Sequence, residues 1–309
     1  MWKCCGHEPV SIHLFYRKRL LLKMKKYFVV FLFLGLFAFS YKQPSYTLTL
    51  AKKWESDTLF KVPESVLYDP LRKVIYVSNI NGKSGEKDGN GFISRLLPDG
   101  RIEELEWVSG LDAPKGMGLY QDKLYVADLT AVVVIDLKSG KIEKRIEVPG
   151  ALFLNDLTID TDGHVYISDS QTLRVYRLTD DIPRVWKEHT EWQKPNGLLA
   201  LEGALHLIDM NNGKLYELSY KNGGIRTLAT AIPSGDGIVA IGKDEYLISN
   251  WNGEILHVHK GNVHKILDTK AEKKQAADIW YIPSERLLLV PTFFANTVAA
   301  YTLEPVIQD

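Results

Sequence analysis

The chain has 309 residues, with 38 Lys and Arg against 38 Asp and Glu, and 45% of it is apolar. That is enough length and apolar content for one large domain or two ordinary ones with a buried core. Residues 1–40 hold seven of the bases and one acid, so the remainder carries 31 basic and 37 acidic residues, a net charge of −6 that excludes a general nucleic-acid binder. The only cysteines are Cys4 and Cys5, which leaves the rest of the chain without disulfides, Cys-ligated zinc or thiol chemistry.

The first element in chain order reads as an export signal. Lys25 and Lys26 precede the apolar run 27–39, which a small residue, Ser40, follows. The run falls short of the ~20 residues that span a bilayer comfortably. The expectation is a signal peptide over 1–40, with Met24 as an alternative start, an exported mature chain (periplasmic or extracellular) and no stable membrane insertion. An uncleaved anchor is the alternative reading.

A repeat then fills the chain. A short phrase opens an apolar strand, and after a turn a second strand ends in Asn, Asp or Thr. The openings are Pro63-Glu64, Pro114-Lys115, Leu154-Asn155, Pro195-Asn196, Gly235-Asp236 and Ala277-Asp278. The matching second strands end at Asn79, Asp128, Asp169, Asp209, Asn250 and Thr292. Successive openings are 51, 40, 41, 40 and 42 residues apart. Turn signals such as Pro98-Asp99-Gly100 and Asn222-Gly223-Gly224 separate one or two further strands in each unit. About forty residues with four short strands is the size of a propeller blade. The fold expected is all-β, a six-bladed β-propeller over 41–309. The last unit ends one strand short, so the segment 46–50 is expected to supply its outer strand and close the ring.

Such a fold places the second residue of each opening at one mouth of the central channel. The expected inner ring is Glu64, Lys115, Asn155, Asn196, Asp236 and Asp278, with the second-strand ends and their loops around it. The insertion 80–90 explains the long first spacing and suits a rim, a lid or a plain surface loop. Trp251, Phe293 and Phe294 lie on neighbouring loops, where they would stack on a substrate or pack between blades. Carboxylates converging in a channel need protons, basic partners or a cation. Oxygen ligands without His or Cys favour Ca²⁺. Lys115 would neutralise Asp278 or Asp156, hold an anionic substrate, or replace the metal. His164, His206, His257 and His259 fall in or beside later strands and are expected to be structural.

The ordered set Pro63-Glu64, Leu154-Asn155-Asp156, Pro195-Asn196-Gly197 and Gly235-Asp236-Gly237 resembles the metal-site motifs of the gluconolactonase / senescence-marker-protein (regucalcin) family. Diisopropylfluorophosphatase and the paraoxonases share its wider six-bladed group. The resemblance implies a divalent cation, usually Ca²⁺, held by Glu64, Asn155, Asn196 and Asp236, and hydrolysis of a lactone or related ester. In the lactonase branch the residue matching Asn155 can face substrate instead. Asp236 would also serve as the catalytic base, with service as a ligand alone as the alternative; Asp156 and Asp278 are the less favoured bases. Where the sugar-lactonase branch commonly carries a substrate-holding Arg, this chain has Phe153, which points to a less polar substrate. The paraoxonase-like His pair has no counterpart, and Phe293-Phe294 occupy the rim near the position where the phosphotriesterase relative has a His. Lys115, Phe153, Trp251 and Phe293 are the expected substrate-binding residues. The stretch 165–176 also resembles NHL-type blades, which keeps open a non-catalytic propeller that binds a ligand or protein.

Overall fold

In the computed structural model, which describes residues 46–307, the repeat units become six four-stranded antiparallel sheets. The expected signal segment lies outside the described residues, and no helix among them is long and apolar enough to cross a membrane. Strand order follows chain order in five sheets. In the sixth, Tyr46–Glu55 lies outside Val298–Ile307, so the chain's first described strand completes its last blade. The Ser56 amide donating to the Val298 carbonyl (2.9 Å), the Val298 amide donating to the Ser56 hydroxyl (3.0 Å) and the Thr297 hydroxyl donating to Glu55 (2.8 Å) fasten this closure. The last blade is thereby a full four-stranded sheet built from both ends of the described chain.

The alternating apolar residues of each strand build the core between blades rather than within them. Leu67, Tyr76 and Ile93 of blade 1 pack with Met117, Val126 and Val133 of blade 2, and five equivalent clusters occupy the other blade junctions. Because both faces of every sheet are covered in this way, second strands such as Val74–Asn79, Val165–Asp169 and Ala204–Asp209 read as continuous buried runs.

Two local devices aim side chains into the channel. The first is a β-bulge near the opening of each of the first five inner strands, between Pro63 and Ser65, Pro114 and Met117, Leu154 and Leu157, Pro195 and Leu198, and Gly235 and Ile238. The extra residue breaks the alternation there and re-aims the side chain. The second is the polar residue ending each second strand. Asp169 accepts from the Leu152 and Phe153 amides on one side and from Gln171 and Thr172 on the other. Asp209 does the same with Gln193, Lys194, Asn211 and Asn212. Asp128 receives the Asp112 and Ala113 amides, and Asn79 the Lys61 amide. These second-strand ends are thus clamps that hold the loop entering each inner strand.

Close approach of the inner strands depends on glycine. A Cβ on Gly197 would stand 2.0 Å from the Asp236 carbonyl oxygen, a backbone atom that cannot swing aside. Gly197→Ala is expected to cost about 3 kcal/mol through this overlap. Denaturant unfolding would measure it, and an unchanged midpoint would mean that blades 4 and 5 yield without penalty.

The register corrects one expectation. In blade 6, Trp280 pairs with Leu289. Asp278 makes a parallel bridge with Ser65 and its amide donates to the Glu64 carbonyl (2.9 Å). Asp278 therefore stands level with Ser65, Asp156 and Gly237, one step down the channel, and Ala277 takes the ring position. An acid at 278 matches the repeated phrase by residue type, but depth in the channel is fixed by the cross-blade bridge to Ser65, which residue type does not report.

Candidate functional site

Five ring positions open on one pocket of about 290 Å³ at the channel mouth, reached by Glu64, Lys115, Asn155, Asn196 and Asp236. All five side chains are buried. Phe153, Trp251, Phe293 and Phe294 line the same pocket. Ser84 of the 80–90 insertion also reaches it. That insertion is tied across the rim, with the Lys87 ammonium donating to the Thr130 hydroxyl (2.6 Å).

The polar ring is only partly satisfied by protein. The Asn196 amide donates to Asp236 Oδ1 (3.0 Å), and Oδ2 has no hydrogen-bond partner among the described residues. The Asn155 amide donates to the Ser170 hydroxyl (3.0 Å), which itself donates to the Pro195 carbonyl (2.6 Å). Glu64 Oε2 is buried and unpartnered. An orphaned carboxylate oxygen in a dry site costs free energy comparable to a lost hydrogen bond or more.

The electrostatics follow from this crowding. Burial raises the Glu64 carboxyl well above its ordinary value. Repulsion from Asp236 and Asp278 adds to that, and Lys115 partly offsets it. Burial and the Asp278 charge push Asp236 up to about 7, against the stabilising Asn196 bond. Burial lowers Lys115 to about 8, although Glu64 and Asp128 attract its charge. Its Nζ donates to the Ala113 carbonyl (2.9 Å) and stands 4.5 Å over the Phe153 ring. It forms no salt bridge among the described residues. Lys115 thus stands over Phe153 within the field of Glu64, and of its three expected roles the pairing with Asp278 or Asp156 is the one that no ion pair among the described residues supports.

Asp156 and Asp278 do not reach this pocket. They line a second, largely apolar cavity of about 400 Å³ farther along the channel. Asp156 accepts from the Leu198 amide (2.6 Å) and the Leu157 amide (2.6 Å), and Asp278 from the Ser65 hydroxyl (2.6 Å). Both join neighbouring blades, and their oxygens are already engaged. Burial raises Asp156 and pushes Asp278 up to about 6.

The three aromatics form one cluster, with Phe293 and Phe294 4.8 Å apart and Trp251 5.6 Å from Phe293, all edge to face. Phe293 is held at φ +49°, a strained value for a bulky residue. Phe294 is 59% exposed at the rim. None of the histidines among the described residues lines the pocket. His164 pairs with Asp160 (2.9 Å), His257 with Glu245 (2.7 Å), and His206 stacks edge-on against Tyr246. Sequence reasoning missed Lys194 and Met210 as lining residues. Lys194 precedes the Pro195-Asn196 opening, and the clamp of its own amide by Asp209 places it there.

Fold and site together define a six-bladed β-propeller with a polar channel mouth. No protein-family model matches the chain, and no curated protein matches it in sequence. Solved structures share the fold. A gluconolactonase from Xanthomonas campestris matches with TM-score 0.62 at 15% identity, over 84% of this chain and 90% of that one. A streptogramin B lyase matches with TM-score 0.60 at 14% identity, over 84% and 98%. The virginiamycin B lyase from Staphylococcus aureus, a catalytically inactive variant with quinupristin, matches with TM-score 0.59 at 16% identity, over 84% and 99%. At these identities the likeness is one of fold.

Proposed function

We propose that the chain is an exported hydrolase of a lactone or related ester that depends on a divalent cation, Ca²⁺ first. The observation that carries the proposal is the buried, unpartnered Glu64 Oε2 in one pocket with Asn155, Asn196 and Asp236. Two carboxylates and two carboxamides, without thiol or imidazole, fit a hard cation. Held by these four residues, the cation would act as a Lewis acid on the ester carbonyl. The chain's own groups do the rest. Asn196 holds Asp236 through Oδ1, so Oδ2 is the oxygen that accepts a proton from an approaching water. In the cation-free chain burial pushes this carboxyl up to about 7, and a dication bound beside it would lower that value and leave the carboxylate free to accept the proton. Ser170 fixes the Asn155 amide, and Trp251, Phe293 and Phe153 keep the pocket dry around an apolar substrate.

The buried Lys115 favours a second reading, a non-catalytic ligand-binding propeller whose channel is neutralised from within. Turnover of small γ- and δ-lactones and aryl esters, before and after chelation, decides between them. Hydrolysis abolished by chelator and restored by Ca²⁺ is expected. A cation-free protein without turnover supports the second reading.

A further inference from the structure

Lys115 is 1% exposed, yet only the Ala113 carbonyl accepts a hydrogen bond from it among the described residues. An ammonium has three donors, so two remain for whatever enters the pocket. A buried cation with unused donors is costly unless an acceptor meets it. Lys194 lines the same pocket, half-buried and without a salt bridge among the described residues, and its charge acts on Asp236. The pocket thus has two lysines against two carboxylates, Glu64 and Asp236. That balance is neutral without a metal. A dication would make it doubly positive, in a site walled by Phe153, Trp251 and Phe294.

We propose that the ligand is an amphiphilic carboxylate, an ester or lactone whose own carboxylate is held by Lys115 and Lys194 while its apolar part lies on the aromatic wall. The reaction assigned to it rests on the hydrolase reading; the binding does not. A carboxylate could also reach the lysines as the product of hydrolysing a neutral lactone, and the experiment separates the two sources.

In the Ca²⁺-loaded chain, calorimetric titration compares 4-phenylbutyrate with the neutral 4-phenylbutanamide. The carboxylate is expected to bind about tenfold tighter or more, the worth of one charge-assisted hydrogen bond in a dry site. Lys115→Met should erase that preference and Lys194→Gln should lower it severalfold, with Ca²⁺ binding retained in both. Equal binding of the two probes, binding of neither, or a preference that survives in both variants overturns the proposal. The wild-type comparison decides alone if Lys115→Met does not fold. For source, a lactone bearing a second carboxylate should have a KM about tenfold below that of its neutral parent. Equal KM values overturn the substrate assignment and leave the lysines to the product. A carboxylate preference without any turnover would sink the hydrolase reading and leave the subsite standing. Turnover of neutral lactones without a preference would do the reverse.

Discussion

Asp236→Asn is expected to lower ester or lactone hydrolysis by roughly 10²–10⁴-fold at limiting Ca²⁺, the range for loss of a positioned proton acceptor or a charged ligand. The change is nearly isosteric, and the Asn196 contact at 3.0 Å has a carbonyl oxygen to accept it, so the pocket should keep its shape. What disappears is one of the two negative charges at the channel mouth. Rate measured against Ca²⁺ separates the two roles given to this carboxylate. A rate that recovers fully at saturating Ca²⁺ marks Asp236 as a ligand alone. A rate that stays low while Ca²⁺ binding saturates marks it as the base as well. Wild-type rates at every Ca²⁺ concentration would remove Asp236 from the mechanism.

The second large effect is a linkage between pH, cation and stability. Asp236 is raised from 3.8 to about 7, and Asp278 from 3.8 to about 6, chiefly by burial. A carboxyl whose pKa is raised on folding binds more protons in the native state than in the unfolded one. Its contribution to stability is complete below the unfolded pKa near 4 and is lost as pH rises through 6 and 7. The cation-free chain should therefore lose on the order of a few kcal/mol between pH 4 and pH 8. A dication bound at Glu64 and Asp236 would replace the protons that leave, so its stabilising effect must grow across the same window. Thermal melts should show almost no Ca²⁺ effect at pH 4.5 and a rise of roughly 5–10 °C at pH 8. A Ca²⁺ shift independent of pH would contradict this account. So would a cation-free chain that is most stable at pH 8.

The architecture was legible because a blade is a local object. Alternating strands, turn dipeptides and a polar residue (Asn, Asp or Thr) at the end of each second strand recur about every forty residues, and each follows from residues close in the chain. The closing strand was legible by arithmetic, since the last unit lacked one strand and the segment 46–50 had no blade of its own; the strand itself runs on to Glu55. Most of the pocket was legible too. Glu64, Asn155, Asn196 and Asp236 occupy equivalent positions, and equivalent positions on a closed ring must converge.

What only the tertiary structure decided depends on depth and direction rather than on repetition. Asp278 and Asp156 share the ring's chemistry but stand one residue farther down the channel, where Ser65 and backbone amides hold their oxygens. The bridge between Ser65 and Asp278, on two different blades, sets that depth, and no local pattern marks it. Lys115 turned over the Phe153 ring, 4.5 Å away on the next blade, and Lys194 entered the pocket from a loop outside the repeat phrase. A linear sequence sets which side chains each blade brings to the mouth. Which of them meet, and which are left without a partner, is settled by the approach of neighbouring strands, close enough at Gly197 that a single methyl group would not fit.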